Sequence, residues 1–156
     1  MSLPEVLLVM HSLLRWLVLV AGVVAFVRAV SGARAGRAWS DADTKVLRAF
    51  VGLFDVQLLI GLLMYFGTSP LGVRMLQHAK EAMKVSALRF FAVEHLVGMI
   101  IAAAVLHVGS ARARRLGDSS KRQGRTALVV GIAFAIIFLS IPWPFFPYGR
   151  PLFRFS

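Results

Sequence analysis

"VLLVMHSLLRWLVLVAGVVAFV", residues 6–27, is an apolar run interrupted by only two ionisable side chains, His11 and Arg15. It is about as long as the roughly 20 residues that a bilayer-spanning helix requires. His11 and Arg15 are four residues apart, so on a helix they share a face. Neither a secretory signal nor a simple anchor needs an imidazole and a guanidinium at that depth. Ionisable groups inside spans are costly, and they usually face a bundle interior where they pair or bind something. The stretch therefore indicates a membrane helix with a polar inner face.

The rest of the chain extends this reading. The 156 residues are 58% hydrophobic, with a mean hydropathy of +0.76. An ordinary soluble domain is nearer 45–50% apolar by a similar count. The apolar residues fall into four blocks, at about 5–28, 45–66, 88–107 and 126–143. The expected fold is all-α: one integral membrane four-helix domain covering residues 1–156. The first block lacks a basic leading segment, since Glu5 is the only charge before His11. It also exceeds the apolar core of a cleaved signal, so it is expected to remain in the mature protein.

The net charge of +11 is distributed unevenly. Arg28, Arg34, Arg37, Lys45 and Arg48 lie in or beside the first loop, and Arg112, Arg114, Arg115, Lys121, Arg122 and Arg125 lie around the third. Eleven of the eighteen basic residues thus fall on one side of a four-span chain. The positive-inside rule assigns that side to the cytoplasm and both termini to the outer side. A nucleic-acid partner would need a basic soluble face with stacking aromatics, and the pattern does not provide one. With no cysteine, thiolate metal sites, iron–sulfur clusters and covalently attached c-type haem are excluded.

Of the connections, "SDAD" (40–43) offers N-caps for the second span. The outer connection has helical spacing from about Val73, with a stripe of Leu76, Ala79, Met83 and Ala87. It reads as an interfacial helix or as an extension of the third span. The tail, 144–156, carries Pro144, Pro147 and Pro151 among aromatic residues. Proline forbids a regular helix there, and Trp and Tyr favour the membrane–water boundary. The tail is expected to be extended, lying along the outer interface or against a partner subunit.

The polar residues at membrane depth are His11, Arg15, Asp55, Gln57, Glu94, His95 and His107. His11 lies six positions in from Glu5, and His95 six positions in from Arg89. At a rise of about 1.5 Å per residue, both imidazoles sit roughly 9 Å below the same outer edge. Matching depth on two helices of one bundle is what a bis-histidine b-type haem requires, its iron taking a ring nitrogen from each side. The bland alternative is that each histidine only hydrogen-bonds within the bundle. Arg15 and Asp55 both fall near the midplane, which suggests a buried ion pair. Arg15 is alternatively placed to hold a haem propionate. Glu94 is expected to orient His11 or to handle protons near a quinone, and Gln57 to add hydrogen bonds. His107 lies about 120° around its helix from His95 and reads as interfacial or structural. His78, in the outer connection, is a weak substitute ligand. On the third span Gly98 and Ala102 form a small-xxx-small pair that permits close helix approach.

"HSLLRW" (11–16), "QLLIGLLMYF" (57–66), "RFFAVEH" (89–95) and "IPWP" (141–144) resemble short motifs of small bacterial four-span membrane proteins labelled cytochrome b-like. The resemblance covers most of the chain through scattered motifs. It implies a haem-bearing or respiratory-chain-associated protein of the bacterial inner membrane, with His11 and His95 inside two of the motifs. Larger di-haem bundles carry more histidine pairs than this chain has. The functional expectation is therefore one haem b near the outer face, exchanging electrons with a quinol or a respiratory-complex partner. The alternative is a cofactor-free accessory subunit of a respiratory or photosynthetic membrane complex. No motif of a stand-alone enzyme is present.

Overall fold

A computed structural model describes residues 1–153 of the chain. It is 80% helical, and the described residues contain no strand. Four helices are long and apolar enough to cross a membrane: α1 (Leu3–Arg34), α2 (Asp41–Thr68), α3 (Ser86–Arg114) and α4 (Ser119–Leu139). The protein is a helical bundle of the multi-pass membrane type.

Local sequence accounts for the helix starts. Glu5 accepts the Ser2 N–H at 2.7 Å and Pro4 fills the first turn, where a missing N–H costs nothing. At α2, Ser40 Oγ accepts from the Asp43 N–H while Asp43 Oδ2 accepts the Ser40 N–H at 2.9 Å. This reciprocal box satisfies two otherwise orphaned donors, and it realises the expectation for "SDAD". Asp118 caps α4 by accepting the Lys121 N–H at 2.9 Å. The helices run past the apolar blocks into the basic loops. The exception is α4, which stops at Leu139, short of Trp143, with Pro142 following closely. A proline soon after a helix end prevents its continuation.

Around the bundle the order is α2, α1, α4, α3. Neighbours in that order pack along their lengths, while α3 and α2 touch only sparsely. Consequently α1 and α3 face each other diagonally across the centre. Phe50, Phe54, Leu106, Val18 and Val130 are the largest apolar side chains fully enclosed there. The outward faces are equally apolar, with Leu17, Val20, Leu59, Ile100, Leu128 and Leu139 exposed. A helix that is apolar all round is what a lipid surroundings selects. Ala102 is fully buried. A Cβ on Gly98 would collide with Ser140 Oγ, so this small-xxx-small pair does permit a close helix approach.

At the end carrying the first and third loops, Asp43 ties three segments together. Its side chain is 3% exposed. It accepts from Arg28 Nε and a terminal nitrogen at 3.1 and 2.9 Å, from Arg37 at 2.7 and 2.8 Å, and from Gln123 Nε2 at 3.2 Å. The carboxylate hydrogen bond raises the Arg37 pKa above its ordinary value. Arg122 adds a guanidinium 4.0 Å above the Trp39 ring.

The opposite end departs from expectation in two places. The connection between α2 and α3 is not one interfacial helix. It consists of a 3-10 turn (Val73–His78) and a short helix (Ala79–Lys84), broken by extended backbone at Val85. The tighter 3-10 winding shifts the side-chain period. Ala82 turns inward instead of the predicted stripe, and Leu76 and Met83 stay exposed. Nor is the tail extended. Phe146 N–H donates to the Trp143 carbonyl at 3.0 Å, Gly149 N–H to Phe146 at 2.8 Å and Arg150 N–H to Pro142 at 2.9 Å. These turns fold the chain back over the bundle end, with Tyr148 stacked on Phe90 (4.0 Å, 13°). Successive prolines forbid a helix but favour tight turns. The last part of the tail expectation, residues 154–156, lies outside the described residues.

Candidate functional site

The folded-back tail roofs a cavity of about 430 Å³ between the helix ends opposite the basic first and third loops. Its wall includes His11 and Arg15 from α1, Gln57 and Tyr65 from α2, and His95 from α3, with Arg150 from the tail. The volume lies within the usual range for small-molecule and cofactor sites, about 300–1,000 Å³. Most of the lining is apolar. Among the described residues its charged members are Arg15 and Arg150, with no Asp or Glu.

The two depth-matched histidines meet here. Their ring centroids are 6.3 Å apart, and the ring planes are inclined at 78°. The separation is about what two metal–imidazole bonds of about 2 Å each, together with the two rings' own radii, add up to. His95 Nδ1 lies 2.7 Å from the Ser140 carbonyl oxygen. A carbonyl only accepts, so Nδ1 carries the hydrogen and Nε2 keeps its lone pair. Ser140 is the residue after the last turn of α4, where carbonyls lack intrahelical partners. A second-sphere carbonyl of this kind fixes both tautomer and ring orientation.

On the other side, Gln57 Nε2 donates to the His11 backbone carbonyl at 2.9 Å, holding α2 against α1. Gly61 leaves space for the ring, since a Cβ there would lie 3.2 Å from His11 Cε1. Three buried atoms around the cavity have no hydrogen-bond partner among the described residues: His11 Nδ1, Gln57 Oε1 and Arg15 Nε. Buried polar groups are nearly always satisfied, so a cluster of three unsatisfied ones beside one cavity is consistent with a polar or metal-bearing occupant.

Two π-helical turns shape the site. One, Phe90–Glu94, immediately precedes His95, and the other, Met64–Thr68, contains Tyr65. Tyr65 Oη donates to the Ala92 carbonyl at 2.8 Å, joining the two turns. Single π turns within helices are frequent at functional sites.

Other sequence expectations are corrected. Arg15 does not pair with Asp55. It donates to the Leu152 carbonyl of the tail, which also receives the Trp16 indole N–H at 3.1 Å. Asp55 instead contacts His107 Nε2 at 2.8 Å. The reason is angular: Gln57 points at α1, and two residues rotate a helix by about 200°. Asp55 therefore faces away from Arg15. Glu94 neither orients His11 nor lines the cavity. It pairs with Arg89 at 2.6 Å, both side chains nearly half exposed. The proposed network of Arg15, Asp55, Gln57 and Glu94 thus separates, and Arg15 and Gln57 alone remain at the cavity. His78 is exposed and absent from the wall. Among the described residues no cluster of three or more His, Cys, Asp or Glu is placed to hold a metal ion.

Sequence reasoning missed Ser140 and Arg150. A helix-terminal carbonyl carries no residue-specific signal. The tail's proline spacing was a signal for turns that would bring Arg150 back over the bundle. No family model, curated protein or solved structure matches the chain.

Proposed function

We propose that the protein is a b-type cytochrome-like membrane protein holding one haem b between His11 and His95. The observation that carries this reading is the pair of imidazoles on one cavity wall, their ring centroids 6.3 Å apart and their planes inclined at 78°. His95 offers Nε2 because Ser140 fixes its Nδ1–H. His11 has no competing side-chain partner at its buried Nδ1. Arg15 and Arg150, in a wall without acids, suit the carboxylates at one edge of such a group. A bound haem would supply a one-electron carrier.

The chain's own part is to orient, enclose and balance charge. The π turn before His95 and its Ser140 bond set the ring's position, while Gly61 and Gln57 set that of His11. The tail roof and the apolar wall limit water, which raises the weight of each remaining charge. Electron exchange with a quinol or another subunit of a respiratory assembly fits a site close to one membrane face. The same reading puts the protein in a bacterial inner membrane with the cavity end and both termini outward. The basic first and third loops lie at the opposite end, which supports that orientation.

The test is optical. Protein purified after expression with ample haem supply should show a Soret band and a reduced α band, and His11→Ala and His95→Ala should each abolish both. A haem-free preparation would overturn the reading in favour of a cofactor-free accessory subunit.

A further inference from the structure

Asp55 and His107 are two ionisable residues inside the spans that serve no role at the cavity. Their side chains are 41% and 54% exposed, respectively. They lie where α2 and α3 touch only sparsely, on an outward surface that includes Val56, Leu59, Ile101 and Val108. Asp55 is fourteen residues from Asp41 and thirteen from Thr68. At about 1.5 Å per residue, Asp55 lies roughly 15 Å in from residue 45, where the second apolar block begins, while His107 closes the third block, five residues before Arg112. Acyl chains offer no hydrogen bond, and intramembrane ionisable groups face protein or a wet cavity almost without exception.

The contact between the two residues uses one atom of each, His107 Nε2 and Asp55 Oδ1. This leaves the second carboxylate oxygen and the second ring nitrogen of two partly exposed side chains with no further hydrogen bond among the described residues. An acceptor and, in the imidazolium form, a donor lie side by side. Such a pair is complementary to a copy of itself. A twofold axis along the membrane normal would bring His107 Nδ1 of each copy to Asp55 Oδ2 of the other, closing a ring of alternating charges. The symmetry also keeps both copies in the same membrane orientation, as an isologous interface requires. The neighbouring surface allows close approach. Gly52, one turn before Asp55, has open space beyond it, and Ala104, one turn before His107, is exposed. Small residues beside a polar pair are what brings transmembrane helices together.

We infer that the α2–α3 face, centred on Asp55 and His107, is the docking surface for a second copy of this chain. The dimer does not depend on haem binding, because the cavity lies at the bundle end opposite the basic loops and shares neither residue.

The chain has no cysteine, so one introduced thiol can form a disulfide only with another molecule. Ala104→Cys, oxidised in native membranes, should give a disulfide-linked dimer. Val20→Cys and Leu128→Cys, on the outward faces of α1 and α4, should give at least tenfold less. Adding Asp55→Leu or His107→Leu to Ala104→Cys should reduce the dimer at least tenfold, with helical circular dichroism unchanged. Three results would overturn the inference: no dimer from Ala104→Cys alone, equal yields at the control positions, or capture of a different protein in place of the second copy. The first needs no folding-sensitive variant.

Discussion

Replacing Asp43 with alanine should be among the most destabilising single changes outside the apolar core. The carboxylate is 3% exposed and accepts from Arg28, Arg37, Ser40 and Gln123. Hydrogen bonds to charged groups contribute about 1.5–3 kcal/mol each when buried. Arg28 and Arg37 are over a third exposed, and the Arg28 pair is discounted to about 0.5–1 kcal/mol. Gln123 differs, being completely enclosed. Its amide would lose its only side-chain partner among the described residues, at a cost of about 1–3 kcal/mol. Loss of the capping box at α2 adds about 1 kcal/mol. The sum is about 2.5–5 kcal/mol. Equilibrium unfolding in mixed micelles, followed by circular dichroism, measures it. Asp118→Ala, which removes only the exposed α4 cap, is the comparison and should cost about 1 kcal/mol. If Asp43→Ala costs no more than Asp118→Ala, the convergence on Asp43 is not holding the loop end together.

Three further outcomes are expected. Tyr65→Phe removes the hydroxyl that joins the two π turns; unfolding measurements should show a loss of about 1 kcal/mol, with hydrogen exchange rising around residues 90–95. Gly61→Val puts bulk where a Cβ already approaches His11 to 3.2 Å, and in the haem reading it should lower the haem-to-protein ratio while leaving helical content unchanged. Phe50→Ala, at a fully buried position, should cost about 3–5 kcal/mol in the same unfolding assay.

The large features of this fold are legible in the sequence because they follow from chain-local physics. Four apolar blocks of spanning length give four helices, and "SDAD" gives a cap where the structure has one. The meeting of His11 and His95 was legible too, because helical rise alone puts them at one depth. Partner choice was not, because depth says nothing about azimuth. Arg15 and Asp55 share a level but not a facing side, and Gln57's contact with α1 turns Asp55 toward His107. Glu94 was misassigned for a different reason: Arg89, five residues back, lies within reach across a π turn that periodicity at 3.6 residues does not anticipate. The tail's turns depend on tertiary contacts of Arg15, Trp16 and Phe90, so proline content excluded a helix without specifying the fold-back.

The most direct test of the central claim is a low-temperature electron paramagnetic resonance spectrum of the oxidised, purified protein, with haem quantified in the same sample. The geometry predicts one haem per chain and a strongly anisotropic low-spin ferric signal, because the two imidazole planes lie at 78°. That signal should vanish in both His11→Ala and His95→Ala. Haem absent from the wild type, or a low-spin signal unchanged in either variant, would contradict it.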